Sequence, residues 1–305
     1  MRIEQGMSRR ILGGLARIGL LVAGLVALGL AWEGYKAWAP ADGVSVAGVR
    51  ILPRTNDAAM PHLSAVWNVL HEEQVASGGA ISFGPRPTVL HGLVDACSNT
   101  LGWAAVGLLI GLLVGAALAI LMDALSVAER ALLPYVVLSQ TVPLIALTPM
   151  LSRWGNGWGL LGWEWTKATS VEVIAAYLAF FPVAVGLLRG LKSPSAVHRD
   201  YFTVTAAGWW RTLVRLRLPA AVRHLVPALR LAAAAAVVGT IVAEISIGQP
   251  GGIGMRILEY SQVTGNSAKL YAAVAGAAAL GLLAAAAVTL VDLALWRYHR
   301  AGAPS

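Results

Sequence analysis

The sequence predicts an all-α polytopic membrane protein with about six transmembrane helices. Of its 305 residues, 57% are hydrophobic and 12% charged, about half the charged share of a soluble domain. The mean hydropathy is +0.69. Apolar runs of about 20 residues, the length a helix needs to cross a bilayer, recur along the chain. These figures exclude a disordered chain and an ordinary soluble enzyme. The 33 Gly and 14 Pro exclude a collagen-like or low-complexity chain. The net charge is +8, but the basic residues flank the apolar runs. They therefore orient helices, and no nucleic-acid partner is expected. The single cysteine, Cys97, excludes an intramolecular disulfide and sits among apolar residues, where a thiol is inert.

The first span is Ile11 to Trp32, after Arg9 and Arg10. It is long for a signal peptide and no clear small-x-small site follows, so residues 1–39 read as an uncleaved anchor. The second span runs from about Val94 to Met122. The third, Ala131 to Leu151, is broken by Pro143 and Pro149. The fourth is Val171 to Leu188, with Pro182 inside, the fifth Leu225 to Ile247 and the sixth Leu270 to Trp296. With both termini inside, 15 of the 23 Lys and Arg fall on the cytoplasmic side and 8 outside, which supports that orientation. The expected layout is the anchor, an external segment at 40–90, a core at 91–297 and a cytoplasmic tail at 298–305. Within 40–90, His62 to Val75 reads as a short surface helix. Trp154, Trp158, Trp163 and Trp165 between the third and fourth spans read as interface anchors. A short outer helix is expected within 248–268.

Catalytic chemistry is not evident. No Gly-Lys dipeptide occurs, so there is no phosphate-cradling Walker A loop and the chain is not a P-loop ATPase. The glycines at 248, 251, 252 and 254 follow no strand, which excludes a dinucleotide site. His71-Glu72-Glu73-Gln74-Val75 begins like a zinc-protease helix, but Val75 stands where the second histidine is required. The six histidines are dispersed and no metal set forms. Ser139 has no Gly-x-Ser-x-Gly context. Among acidic residues, Asp95 and Asp123 bracket the second span, and the interface accounts for Glu172 and Asp292. Glu244 lies in the fifth span, where a carboxylate is expensive. It either lines an aqueous path or snorkels to the interface.

The stretch 196–219 is the most specific feature. It contains Asp200-Tyr201-Phe202, then Ala206, Trp210, Arg211 and Leu216, and ends on Leu218-Pro219, which reads as an abrupt helix stop. It resembles the EAA loop of permease subunits in bacterial ABC importers, which reads Glu-Ala-Ala, a glycine after three further residues, and a closing hydrophobic-x-Leu-Pro. Leu216, Leu218 and Pro219 match. Asp200 keeps the acidic character, Tyr201 and Phe202 replace the two alanines, and Ala206 stands at the glycine position. The resemblance extends over about 90–297. It takes in Thr100 with the glycine-rich second span, Glu129-Arg130 to Pro134, and Gln140 to Pro149. Arg153-Trp-Gly-Asn-Gly and Val238 to Glu244 extend it further. It is similar to the nitrate/sulfonate/taurine branch, which includes proposed carriers of thiamine-precursor pyrimidines and riboflavin.

The resemblance implies a non-catalytic permease of type I importer architecture in a bacterial inner membrane, with the 40–90 segment in the periplasm and a cytoplasmic coupling helix. Asp200, Trp210, Arg211, Leu216, Leu218 and Pro219 would meet the ATPase. It implies two ABC ATPase subunits carrying ATP and Mg, a second copy or paralogous permease, and a periplasmic solute-binding protein, with no cofactor on this chain. Gln140, Pro143 and Glu244 are candidates for the translocation path, because proline breaks and buried polar groups are tolerated where a cavity satisfies them. No Lys or Arg falls well inside a span. That favours a small organic solute, such as a pyrimidine thiamine precursor or riboflavin, over a sulfonate, taurine or nitrate anion. A membrane-embedded scaffold or enzyme is the alternative class.

Overall fold

The computed structural model describes residues 19–20, 23–46, 49–73, 87–155, 157–160, 163–263 and 265–300. Much of the predicted first span, and the tail beyond 300, lie outside the described residues. The chain divides into two compact units, 1–89 with 260–272, and 90–259 with 273–305.

In the first unit, helix α1 (residues 23–38) is followed by the hairpin β1 (Val44–Val46) and β2 (Val49–Leu52) and by α2 (Leu63–Val69). Polar groups of α1 hold the segment that follows it. Trp32 Nε1 donates to Pro61 O at 3.0 Å. Lys36 Nζ meets Asp57 Oδ1 at 2.6 Å and also donates to the Met60 carbonyl. The Glu33 carboxylate accepts from Leu63 N at 2.7 Å and pairs with His62 at 2.8 Å. Tyr271 OH donates to Ala59 O at 2.9 Å, and its ring meets Trp32 edge-on at 5.3 Å. Helix α2 is shorter than the predicted His62–Val75. Glu73 leaves the helix to bridge Thr88, and Val89 N bonds Glu72 O at 2.9 Å.

The second unit is helical apart from the two-residue strands β3 (Gly159–Leu160) and β4 (Trp163–Glu164). Its helices are α3 (Val89–Ala124), α4 (Ser126–Leu138), α5 (Leu144–Gly155), α6 (Lys167–Leu191) and α7 (Ala196–Val204). They continue with α8 (Trp209–Thr212), α9 (Leu218–Ile247), α10 (Ile253–Gln262) and α11 (Ser267–Arg300). Among the described residues, four helices are long and apolar enough to cross a membrane: 89–124, 167–191, 209–247 and 267–292. The pair α4–α5 adds a fifth if taken as one broken span. The architecture is thus an all-α multi-pass membrane protein.

Close packing is built on small residues, as in lipid, where backbone approach replaces the hydrophobic drive. On α3, a Cβ at Gly111 would lie 2.8 Å from Ala179 Cβ, and one at Gly115 would lie 2.6 Å from Phe180 O. Helix α6 meets α9 the same way, a Cβ at Gly190 falling 2.7 Å from Ala221 Cα. Helix α6 is the most enclosed, with Val171, Ile174, Ala175, Ala179, Val183 and Ala184 at 0% exposure.

Proline acts differently at three places. Pro143 follows extended Val142 (ψ 125°), and α4 with its 3₁₀ turn Ser139–Thr141 meets α5 at 101°. The residue before proline is driven out of the helical region, which accounts for the bend. Pro149 lies inside α5 without ending it. Pro219 does not stop a helix, contrary to the sequence reading. It follows a π-helical stretch, Leu213–Arg217, through which α8 and α9 run on as one element, so the departure from α-helical bonding falls just before the residue that supplies no N–H.

Candidate coupling loop and translocation path

The loop between α6 and α9 is ordered by local rules. Helix α7 ends in a Schellman motif. Ala207 N bonds Phe202 O at 3.0 Å, and Ala206 N bonds Thr203 O at 3.0 Å. Ala206 has φ 50°, and it alone among the described non-glycine residues has a positive φ. That position of the motif favours glycine, so a glycine in the EAA pattern here has a backbone cause. Asp200 lies in α7 and is exposed. Tyr201, Val204 and Trp210 are also exposed, at 66%, 86% and 70%. Arg211 and Pro219 are exposed, while Leu216 and Leu218 are half-buried.

One face of this loop is anchored. Leu213 is fully buried with Met122, Leu187, Leu188, Leu191 and Ala221. Arg217 Nη1 meets Asp123 Oδ2, at the end of α3, at 2.5 Å. Lys192, just after α6, pairs with Glu129 of α4. The predicted coupling residues Trp210, Arg211 and Asp200 thus face outward from a base that ties α3, α4, α6 and α9 together. Asp123 and Arg217 were not picked out as partners, because 94 positions separate them.

Gln140 and Pro143 sit at the bend between α4 and α5, both exposed. Tyr177 of α6 donates its hydroxyl to the Ser139 carbonyl and fastens the bend. Gln140 Nε2 reaches only Ser139 Oγ, at 3.4 Å.

Glu244 is elsewhere in the bundle and is fully buried. Its carboxylate accepts from Thr100 Oγ1 at 2.6 Å and from Gly254 N at 2.7 Å. Thr100 Oγ1 in turn accepts from Ile253 N at 2.9 Å. The carboxylate faces inward and does not snorkel to an interface. The structure does not bring Glu244 into contact with Gln140 or Pro143. The signal for this cluster was the run Gly251-Gly252-Ile253-Gly254. A Cβ at Gly252 would overlap the Glu244 carboxyl, and one at Gly254 would lie 2.6 Å from Ile241 O.

Arg230 lies inside α9 (Leu218–Ile247) and also within the predicted fifth span, Leu225 to Ile247, which corrects the reading that no Lys or Arg falls well inside a span. Its guanidinium bonds Asp292 Oδ2 of α11 at 3.1 Å.

Residues 107–297 match the family described as the inner membrane component of binding-protein-dependent transport systems. The chain is 32% identical over 145 residues to the formylaminopyrimidine transport permease protein of Halalkalibacterium halodurans, covering 48% of this chain and 54% of that one. A Bacillus subtilis protein named for aliphatic-sulfonate transport is 29% identical over 196 residues, 64% of this chain and 67% of its own length. The riboflavin transport system permease protein of Chloroflexus aurantiacus is 28% identical over 123 residues, 40% and 42% of the two chains. The matches thus span from under half to two thirds of these curated relatives. With more than half of its length matched, the chain belongs to the inner-membrane components of binding-protein-dependent transport systems, the permease subunits of ABC importers.

Proposed function

We propose that this chain forms the translocation path of an ATP-driven importer and couples it to separate ATPase subunits. The observation that carries the reading is the loop 196–217, which presents Tyr201, Val204 and Trp210 outward from a buried base. An exposed apolar patch beside Arg211 and Asp200 is suited to burial against a partner. Two ATPases dock there, each on one permease of a dimer, and a solute-binding protein delivers substrate from the periplasm. Six spans with both termini cytoplasmic fit this arrangement, and no reaction is catalysed by the chain itself. ATP and Mg are held by the partners. Closure of the ATPases displaces α7 and α8 and switches the bundle between inward- and outward-facing states. The path runs between the two permeases, past Gln140, Pro143 and the end of α9 that carries Glu244.

The solute we favour is a small neutral organic molecule, a pyrimidine thiamine precursor or a flavin. Two relatives are named for such solutes. Deeper inside α9 than Arg223, Arg230 has its charge paired with Asp292 at 3.1 Å, which disfavours it as the counter-charge of a sulfonate. The relative named for aliphatic sulfonates supports the anion as second reading.

Asp200→Arg combined with Trp210→Ala tests the coupling. The double variant should insert normally but lose ATPase co-purification and uptake of formylaminopyrimidine or riboflavin. Full uptake with normal ATP hydrolysis would refute the assignment.

A further inference from the structure

The first amides of a helix have no acceptor within it. In α10, two of these are satisfied by side chains from other helices. Ile253 N donates to Thr100 Oγ1 of α3 at 2.9 Å, and Gly254 N donates to Glu244 Oε2 of α9 at 2.7 Å. Thr100 then donates to Glu244 Oε1 at 2.6 Å, closing the set into a ring that joins α3, α9 and α10. Both side chains are at 0% exposure. Just outside the ring, Asn99 Nδ2 donates to Gly251 O at 3.0 Å. The approach is so close that neither Gly252 nor Gly254 has room for a Cβ.

We propose that Glu244 and Thr100 are positioning residues for transport. They clamp the start of α10 across α3 and α9, and the clamp yields when those two helices shift. Hydrogen bonds of 2.6–2.9 Å weaken steeply with displacement. A helix shift of about 1–2 Å, ordinary in a switching bundle, cannot preserve bonds to both α3 and α9. The lead-in to α10 is built to follow. Gly248 (φ 68°) ends α9 and Gly251 has φ 87°, conformations that glycine takes without strain. Glu244 thus acts on the route through the placement of α10, and touches no solute itself. The direction and energy source of the shift rest on the importer reading above; the clamp does not.

The test uses the complete transporter, permease with its ATPases, in lipid nanodiscs, and the variants Thr100→Val and Thr100→Ser. Hydrogen exchange is followed in the peptide 250–259, with uptake and ATP hydrolysis measured alongside. Wild type should protect these amides in the nucleotide-free complex and exchange them at least about tenfold faster when trapped with ATP and vanadate, the range expected for one lost buried hydrogen bond. Thr100→Ser keeps the hydroxyl and should behave as wild type. Thr100→Val is isosteric but removes donor and acceptor together. It should exchange fast without nucleotide and lose uptake while still hydrolysing ATP. Wild-type protection in Thr100→Val would overturn the proposal, as would equal exchange in the two nucleotide states or fast exchange with unchanged uptake. If no ATPase assembles with the wild-type permease, the importer reading fails. The Ser–Val contrast on the permease alone then still decides the clamp.

Discussion

Replacing Ala206 by glycine should stabilise the end of α7. Ala206 sits at φ 50° in a Schellman motif whose two bonds are both formed, at 3.0 Å each. An L-residue in that region costs about 1–2 kcal/mol. Glycine forfeits about 0.4–1 kcal/mol of this, because it loses more freedom on folding. Ala206 is exposed, so removing its methyl takes away little packing. The balance is about 0.8 kcal/mol in favour of glycine, or roughly fourfold in the local opening equilibrium. Hydrogen exchange of the amides at 203–207 should therefore slow by about that factor in Ala206→Gly. Ala206→Val should accelerate it, since a β-branched residue is worse still at positive φ. Unchanged or faster exchange in the glycine variant would refute the strain argument, and with it the explanation for glycine in the EAA pattern.

Gly111→Leu should prevent α3 from seating on α6. Even a Cβ there lies 2.8 Å from Ala179 Cβ and 2.9 Å from Ala176 O, so a loss of about 3 kcal/mol or more is expected. The readout is a lower melting temperature and loss of the monodisperse species on size exclusion, whereas Gly102→Leu, with nothing within 4 Å of a Cβ, should be tolerated. In the first unit, the Lys36 ammonium bonded to Asp57 holds that carboxyl below its ordinary range. Because the folded value is the lower one, its contribution is complete above the unfolded value near 3.9 and is lost as pH falls through the folded value. Limited proteolysis of 53–62 should be flat down to about pH 4 and rise below it, and Asp57→Asn should shrink that step, leaving the part due to the Glu33 carboxylate that holds Leu63 N and His62.

Composition and run length made the spans legible, because a helix in lipid needs apolar residues on every side. Their ends were less so. Helix α6 starts at Lys167 and α9 carries Arg223 and Arg230 within it, since a backbone helix does not stop where its side chains become polar. Proline was ambiguous for a different reason. Only the geometry of its neighbours tells a bend (Pro143) from a passenger (Pro149) or a proline just after a π-helical turn in a continuing helix (Pro219). The EAA-like pattern located the loop and even marked Ala206 as the departure from it, but not why glycine belongs there, which depends on φ. The Glu244 ring was the least legible part. Thr100 and Glu244 lie 144 positions apart, and the glycines that admit the carboxylate look alike whether they face a ligand or a side chain.

These long-range pairs have a common pattern. Helix α3 is tied to the continuous element 209–247 at two places, through Asp123–Arg217 and through Thr100–Glu244. At 1.5 Å per residue the two ties are about 35 Å apart along α3 and about 40 Å along its partner. One lies beside the exposed α7–α8 loop and the other at the start of α10. Between them, α6 packs against both helices through Gly111, Gly115 and Gly190, where small residues let backbones approach closely. Polar bonds join the helices at the ends, and close small-residue contacts join them to α6 along the length. Arg217 and Glu244 thus sit at the two ends of one continuous helical element. Mutating the Asp123–Arg217 pair should alter exchange at the start of α10, although the two sites share no contact.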